Sequence, residues 1–219
     1  MIKPKQPLIL LRHAQAQHHV RGITGGWSDT DLTASGIRQA ECLAARLERE
    51  LAGISIQLGS SGLRRAVHTA RIIESRLGSP AQVYEPLTDL NNGIAAGKTH
   101  AEARRHAIPP SEPVLDWQPY PEAESWRQFF IRVSSFMNEF SSQQASPAVL
   151  VTHAATIHVI IAWWLSLPVE TRVQFSIAPA SITVLSLNQW GECSLERMND
   201  TAHLYELGMT NPIQLTSLT

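Results

Sequence analysis

Pro7-Leu8-Ile9-Leu10-Leu11-Arg12-His13 and Ala148-Val149-Leu150-Val151-Thr152-His153 are two short apolar runs, each ending in a histidine. A continuous apolar run of this length, bounded by proline, reads as a strand buried on both faces, the kind found in parallel sheets. Ligands of an open parallel sheet bind in the crevice beyond the carboxyl ends of its strands. Both histidines are therefore expected at that edge, the first with Arg12 beside it. An imidazole next to a fixed cation suits attack on an anionic electrophile.

Working outward, apolar residues at 37, 40, 43, 44 and 47 follow the helical period, with Thr33 or Ser35 placed to cap the start. Ile54 to Leu58 alternates and reads as a strand. A helix is expected from about Leu63 to Leu77, closed by Gly78 and Pro80, then a brief strand at Gln82-Val83-Tyr84. Residues from about 88 to 122 carry turn chemistry and five prolines around one short helix, His100 to His106. Such a segment reads as a binding loop or lid that covers the site. A helix with an aromatic stripe follows at Glu124 to Phe140, and another from about Thr156 to Leu167. Trp163 and Trp164 fit an inward packing or a subunit contact equally well. Ser181 to Leu187 and Cys193 to Arg197 then read as a hairpin. The order implies an α/β fold: one three-layer α/β/α domain over 1–219 with a mostly parallel central sheet.

Hydrophobic residues make up 43% of the 219 and charged residues 17%, enough for a sizeable core. The formal net charge of -1 gives no general reason to bind nucleic acid or an anionic membrane, so any anion site must be a local cluster. Two cysteines, Cys42 and Cys193, make no disulfide framework and fit a reducing compartment. No signal-like or membrane-spanning run stands out, so a cytoplasmic location is expected. The sequence leaves the oligomeric state open.

The histidines acquire meaning from their company. Leu11-Arg12-His13-Ala14 is followed by Gly26-Trp27-Ser28-Asp29, by Leu32-Thr33-Ala34-Ser35-Gly36-Ile37-Arg38-Gln39-Ala40, and by Ser60-Ser61-Gly62-Leu63-Arg64-Arg65-Ala66-Val67-His68-Thr69-Ala70. Leu87-Thr88-Asp89, Pro121-Glu122-Ala123-Glu124-Ser125, the run ending at His153 and Asn199-Asp200-Thr201-Ala202-His203-Leu204 come later. In this order and spacing the chain, from about residue 7 to 204, resembles the histidine phosphatase superfamily, the phosphoglycerate-mutase-like group.

The resemblance implies that His13 is a nucleophile forming a phosphohistidine. It also implies that Arg12 and Arg65 clamp the phosphoryl oxygens and that His153 is a second phosphate-binding and catalytic histidine. The physics agrees. A neutral imidazole is a good nucleophile near pH 7, and neighbouring cations disfavour its protonation. Guanidinium forks match the charge spread over a migrating phosphoryl group. Within the same helix Arg64 reads as a rim or solvated residue. The leaving oxygen needs a proton; where the family has glutamate this chain has Asp89, one methylene shorter. Asp89 is the expected general acid, with Glu124 as the alternative acid or as a support for the basic cluster. Ala14 and Ala154 replace family glycines, and Ala16 and His19 stand where the family often has Ser/Thr and Asn. His18-His19 lacks carboxylate or cysteine partners at ligand spacing, so neither a metal nor a cofactor is expected.

The expectation is a metal-independent phosphatase for a small phosphorylated metabolite. Two rivals are a cofactor-dependent phosphoglycerate-mutase-type isomerase and a weakly catalytic phosphate-binding or regulatory module on the same fold. Few basic residues between 88 and 122 argue against the first; Asp89 in place of glutamate keeps the second open.

Overall fold

The computed structural model describes residues 3–171 and 173–208. The two opening runs are β1 (Leu8–Arg12) and β4 (Ala148–Thr152), and every residue of β4 is buried. They pair in parallel from Leu8 with Ala148 to Arg12 with Thr152, so His13 and His153 leave the sheet side by side. β2 (Gln57–Ser60) and β3 (Ala81–Val83) extend the parallel part on one side. β5 (Ile182–Leu187) and β6 (Cys193–Asp200) add an antiparallel hairpin on the other, in the order β3-β2-β4-β1-β5-β6.

Successive side chains along β1 feed opposite layers, as a strand's period of two requires. Ile9 and Leu11 pack with Val149 and Val151 against α2 (Ala34–Glu50) and α3 (Arg64–Leu77). Leu8 and Leu10 pack with Leu150 against α5 (Trp126–Gln143) and α6 (Ala154–Trp164). The expected α/β/α layering and mostly parallel sheet are present. Trp163 and Trp164 are buried in the second layer, their indole N–H groups donating to Asn138 Oδ1 and the Ser194 carbonyl. They pack inward.

Three local readings need correction. The strand expected at Ile54 to Leu58 begins at Gln57 and runs on through Gly59 and Ser60. Ile54 is exposed, and Gly59 fits because the rings of Tyr84 and the side chain of Leu150 occupy the space a Cβ would need. The helix expected from Thr156 starts at Ala154, directly from His153, and stops at Trp164. A one-turn helix, α1 (Gln17–Arg21), was not expected; it carries His18 and His19. The irregular segment is better ordered than its composition implies. It holds α4 (His100–Arg104) and is laced to the loop at 22–28, Thr24 donating to the Lys98 carbonyl and His100 to that of Gly22. Among the described residues no helix is long and apolar enough to cross a membrane.

Candidate active site

The chain turns sharply after β1, and the two helical motifs hold that turn. Thr33 caps α2 by accepting from Gly36 N–H, and the α2 start presses on the turn so closely that a Cβ on Gly36 would lie 2.0 Å from the Gln15 carbonyl oxygen. Gln39 Oε1 accepts from Gln15 N–H at 2.9 Å. From α3, Thr69 Oγ1 accepts from Ala14 N–H at 3.2 Å, one turn beyond Arg65 on the same helix face. The residues following His13 are thus fixed from two helices, and His13 with them.

His13 is 1% exposed and His153 is fully buried, with ring centroids 5.1 Å apart. The sequence placed both at the sheet edge beyond which ligands bind; the structure puts them at that edge, buried, with Arg12, Arg65 and Asp89 close by. His13 Nδ1 donates to the Ala14 carbonyl at 2.8 Å, and Arg65 Nε donates to His13 Nε2 at 3.1 Å. That pairing fixes the tautomer, leaving the lone pair on Nε2. Burial, then Arg65, His153 and Arg12, hold the His13 pKa well below the usual histidine value, so the ring is neutral at ordinary pH.

Arg65 is fully buried. Its NH1 donates to the Ser28 carbonyl at 2.6 Å and its NH2 to that of Gly26 at 2.7 Å. Gly26 sits at φ +56°, where a Cβ would run into Asn92 Oδ1 and the Leu90 carbonyl, which explains glycine before Trp27. Arg12 NH1 donates to the Ile177 carbonyl at 2.6 Å, and its NH2 faces His19 Nε2 at 2.9 Å. Burial lowers its pKa to about 10, which still leaves it charged. Arg64 instead bonds Asp31 and Asp29 at the exposed rim, as its register implied.

Asp89 approaches from the far side. Its Oδ2 lies 3.5 Å from Arg65 NH2 and 3.9 Å from His153 Nδ1, with 18% of the side chain exposed. Burial raises its pKa, outweighing the pull of Arg65 in the opposite direction. The shorter side chain is brought in by its backbone, which is clamped. Arg132 donates to the carbonyls of Pro86, Thr88 and Asp89, Trp27 Nε1 donates to the Asp89 carbonyl, and Thr152 Oγ1 holds that of Leu87. Glu124 grips the same Arg132 through both oxygens, at 2.7 and 2.8 Å, and accepts from Asn91 N–H. Both its oxygens are engaged in holding the Asp89 segment.

Two buried polar atoms in this cluster have no hydrogen-bond partner among the described residues: Arg12 Nε and His153 Nδ1. A buried polar group left unmatched costs about 1–3 kcal/mol, so such atoms mark a missing partner. For Arg12 Nε the missing partner is an acceptor. The ligating atoms of His13, His18 and His19 lie within 4.8 Å of one another, a proximity the sequence did not show. Two of those nitrogens already face guanidinium N–H groups of Arg65 and Arg12, a setting that favours an anion over a cation. Sequence reasoning also missed Arg132, Trp27, Asn92 and Ser61; Ser61 Oγ bonds His153 Nε2 at 2.7 Å. Ser61 and Trp27 lie inside the quoted motifs, whereas nothing local distinguishes Arg132 from other helix-surface arginines.

The profile of the histidine phosphatase superfamily (branch 1) matches residues 8–201. The chain belongs to that superfamily. It is 30% identical to the adenosylcobalamin/alpha-ribazole phosphatase of Escherichia coli K12, over 83% of this chain and 90% of that one. It is 31% identical to a 2,3-bisphosphoglycerate-dependent phosphoglycerate mutase of Thermoplasma acidophilum, over 82% and 86%. The structure of a mycobacterial glucosyl-3-phosphoglycerate phosphatase complexed with VO3 superposes with a TM-score of 0.74 at 26% identity, covering 89% of this chain and 99% of that one. The relatives it resembles thus include both phosphatases and a mutase by name.

Proposed function

We propose that this phosphoric monoester hydrolase removes phosphate from a small metabolite through a phosphohistidine formed on His13. The observation that carries the reading is the neutral, buried His13 with its Nε2 lone pair held against Arg65, beside two buried donors that lack acceptors.

In the first step Nε2 attacks phosphorus and the bond to the leaving oxygen breaks. Arg65 Nε, which has been bonded to Nε2, turns its hydrogen bond to a phosphoryl oxygen. Arg12 Nε takes a second oxygen, and His153 a third. With Ser61 Oγ donating to His153 Nε2, the neutral ring carries its proton on Nδ1, the atom that lacks a partner. The Arg12 and His153 donors are in place before charge develops, so they stabilise the transition state without reorganisation, whereas Arg65 Nε exchanges one acceptor for another. Asp89, its pKa raised by burial and raised further by an incoming dianion, delivers the proton to the leaving oxygen. Water, activated by the carboxylate thus formed, then attacks the phosphoryl group on Nε2 and regenerates the neutral imidazole.

Glu124 is assigned to positioning Asp89 through Arg132. We place the enzyme in the cytoplasm, since two cysteines among 219 residues make no disulfide framework. The test is turnover of p-nitrophenyl phosphate by the protein and by its His13→Ala variant. Expected is His13-dependent hydrolysis that survives a metal chelator and is inhibited by vanadate. Hydrolysis that is equal in the two proteins, or lost with the chelator, contradicts the proposal. Transfer of phosphate between the hydroxyls of phosphoglycerate at a rate above hydrolysis would favour the isomerase.

A further inference from the structure

A cavity of about 760 Å³ opens beside the catalytic cluster. One wall is the first turn of α6, Ala154 and Ala155, which follow His153 directly. Another wall includes Phe175, two residues before the Ile177 carbonyl that holds Arg12. Chain continuity thus joins the cavity to the phosphoryl site at two separate points. Three rings line it in sequence: Trp126 meets His158 edge-on with centroids 5.4 Å apart, and His158 meets Phe175 at 5.3 Å. Phe175 N–H donates to His158 Nδ1, so the neutral ring keeps its proton on Nε2, one donor in a largely apolar wall.

The outer part is apolar too. Val114 and Val173 line the cavity while remaining 45% exposed each, an arrangement that leaves apolar surface waiting for a cover. The charged residues among the described lining are Glu112 and Glu170, both carboxylates. Arg127, outside the described lining, bonds Asp116 at 2.7 Å and pairs with the lining residue Glu170 at 3.8 Å. A phosphate or carboxylate on the leaving alcohol would find repulsion at the rim and no cation among the described lining residues.

We infer that this cavity receives the leaving group, and that the leaving group is an alcohol bearing a flat, aromatic or similarly apolar body, uncharged or positively charged. The inference rests on the phosphatase reading and deepens it. The volume is far larger than a three-carbon hydroxy acid requires, and ligand pockets of this size bury most of a ring-bearing molecule. A small acid such as glycerate would leave the three rings and both valines uncovered.

The test compares 2-naphthylmethyl phosphate, an alkyl ester with an apolar body, with 3-phosphoglycerate and O-phosphoserine. p-Nitrophenyl phosphate serves as the His13-dependent reference. Expected is a kcat/KM for the naphthylmethyl ester at least about 10-fold above that for 3-phosphoglycerate, an ordinary yield for an apolar pocket. In Val173→Arg, and independently in Val114→Arg, that ratio falls by about 10-fold or more while the melting temperature changes little and 3-phosphoglycerate is still hydrolysed. Both sites are half exposed, so both variants are expected to fold.

Equal kcat/KM for the naphthylmethyl ester and 3-phosphoglycerate, or a preference for 3-phosphoglycerate or O-phosphoserine, overturns the inference and leaves the phosphatase reading intact. Loss of preference in neither arginine variant overturns it as well. Absence of His13-dependent turnover of any ester, p-nitrophenyl phosphate included, removes the reading on which the inference rests, and the inference with it.

Discussion

Two clusters of charged side chains differ in one decisive respect. At the outer edge of the hairpin, Arg46 bonds Glu50 at 2.7 Å and Asp200 at 2.6 Å, and Arg197 bonds the same two carboxylates at 2.7 and 3.5 Å. Two cations meet two anions there, and His203, whose Nδ1 lies 3.3 Å from Arg46 NH1, adds a neutral ring with an unpartnered Nε2. At the carboxyl edge of β1 and β4, Arg12 and Arg65 share a single carboxylate, Asp89, with two neutral histidines between them. That cluster is buried, short of acceptors, and holds orphaned donors. The first arrangement adds stability; the second gives some up, and only a bound anion restores the balance. The ratio of cations to carboxylates, more than the amount of charge, separates a structural network from a site.

The sharpest way to break this contrast is to remove His13, the proposed nucleophile. His13→Ala should lower kcat for p-nitrophenyl phosphate by about 10⁴-fold or more, as losses of a covalent nucleophile do, measured in steady state. It should remain folded at a cost of about 1–3 kcal/mol, because the buried Arg65 Nε loses its acceptor on His13 Nε2.

Next comes the acid. Asp89→Asn should cost about 10²- to 10⁴-fold on an alkyl phosphate and much less on p-nitrophenyl phosphate, whose leaving group hardly needs a proton. The pH profile carries the sign. Asp89 acts when protonated and its pKa lies above the ordinary aspartate value, so alkyl-ester turnover falls as pH rises through that raised value. His13 stays neutral well below pH 6.5, so its protonation limits the rate only at more acid pH. The alkaline fall should vanish in Asp89→Asn. Its melting temperature should not drop, because a neutral amide no longer pays the cost of burying a carboxylate.

A smaller effect distinguishes acid from support. Glu124→Gln should lower alkyl-ester turnover by about 10- to 100-fold through misplacement of the Asp89 segment, while the alkaline fall persists. Disappearance of that fall in the Gln variant would move the acid role to Glu124.

The smallest effect belongs to the balanced cluster. Asp200→Asn should cost about 1 kcal/mol of stability after allowance for solvent screening, read by denaturant melts, with kcat unchanged. Bonding to Arg46 holds the Asp200 pKa at about 2, below its usual value. Its contribution is therefore complete above pH 4 and is lost as pH falls through about 2. A change in kcat would show that the two clusters are coupled.

Much of this contrast was legible in the sequence. The buried strands announced themselves by apolar runs, and the identities of Arg12, His13, Arg65 and His153 followed from motif register. What lay beyond reach was geometry set by long-range contact. Gly59 and Ser60 lack strand-forming side chains, yet join β2 because Tyr84 and Leu150 fill the space above Gly59. Arg132 looks like any arginine on a helix face, and only the fold brings the carbonyls of Pro86, Thr88 and Asp89 to it. The closing Asn-Asp-Thr motif, read with the site motifs, is instead a tie: Asn199 holds Ala178 N–H and Asp200 holds Arg46. The depth at which His13 is buried was also hidden, since a strand-end histidine carries no sign of what will cover it.

The most direct test is to trap the reaction on the millisecond scale with a fast aryl phosphate and map the covalent label by mass spectrometry and phosphorus NMR. Phosphate on Nε2 of His13, absent from His13→Ala and formed as fast as the alcohol is released, is the result this account predicts. Phosphate on Nδ1, on another residue, or on none while alcohol is released in a burst would contradict it.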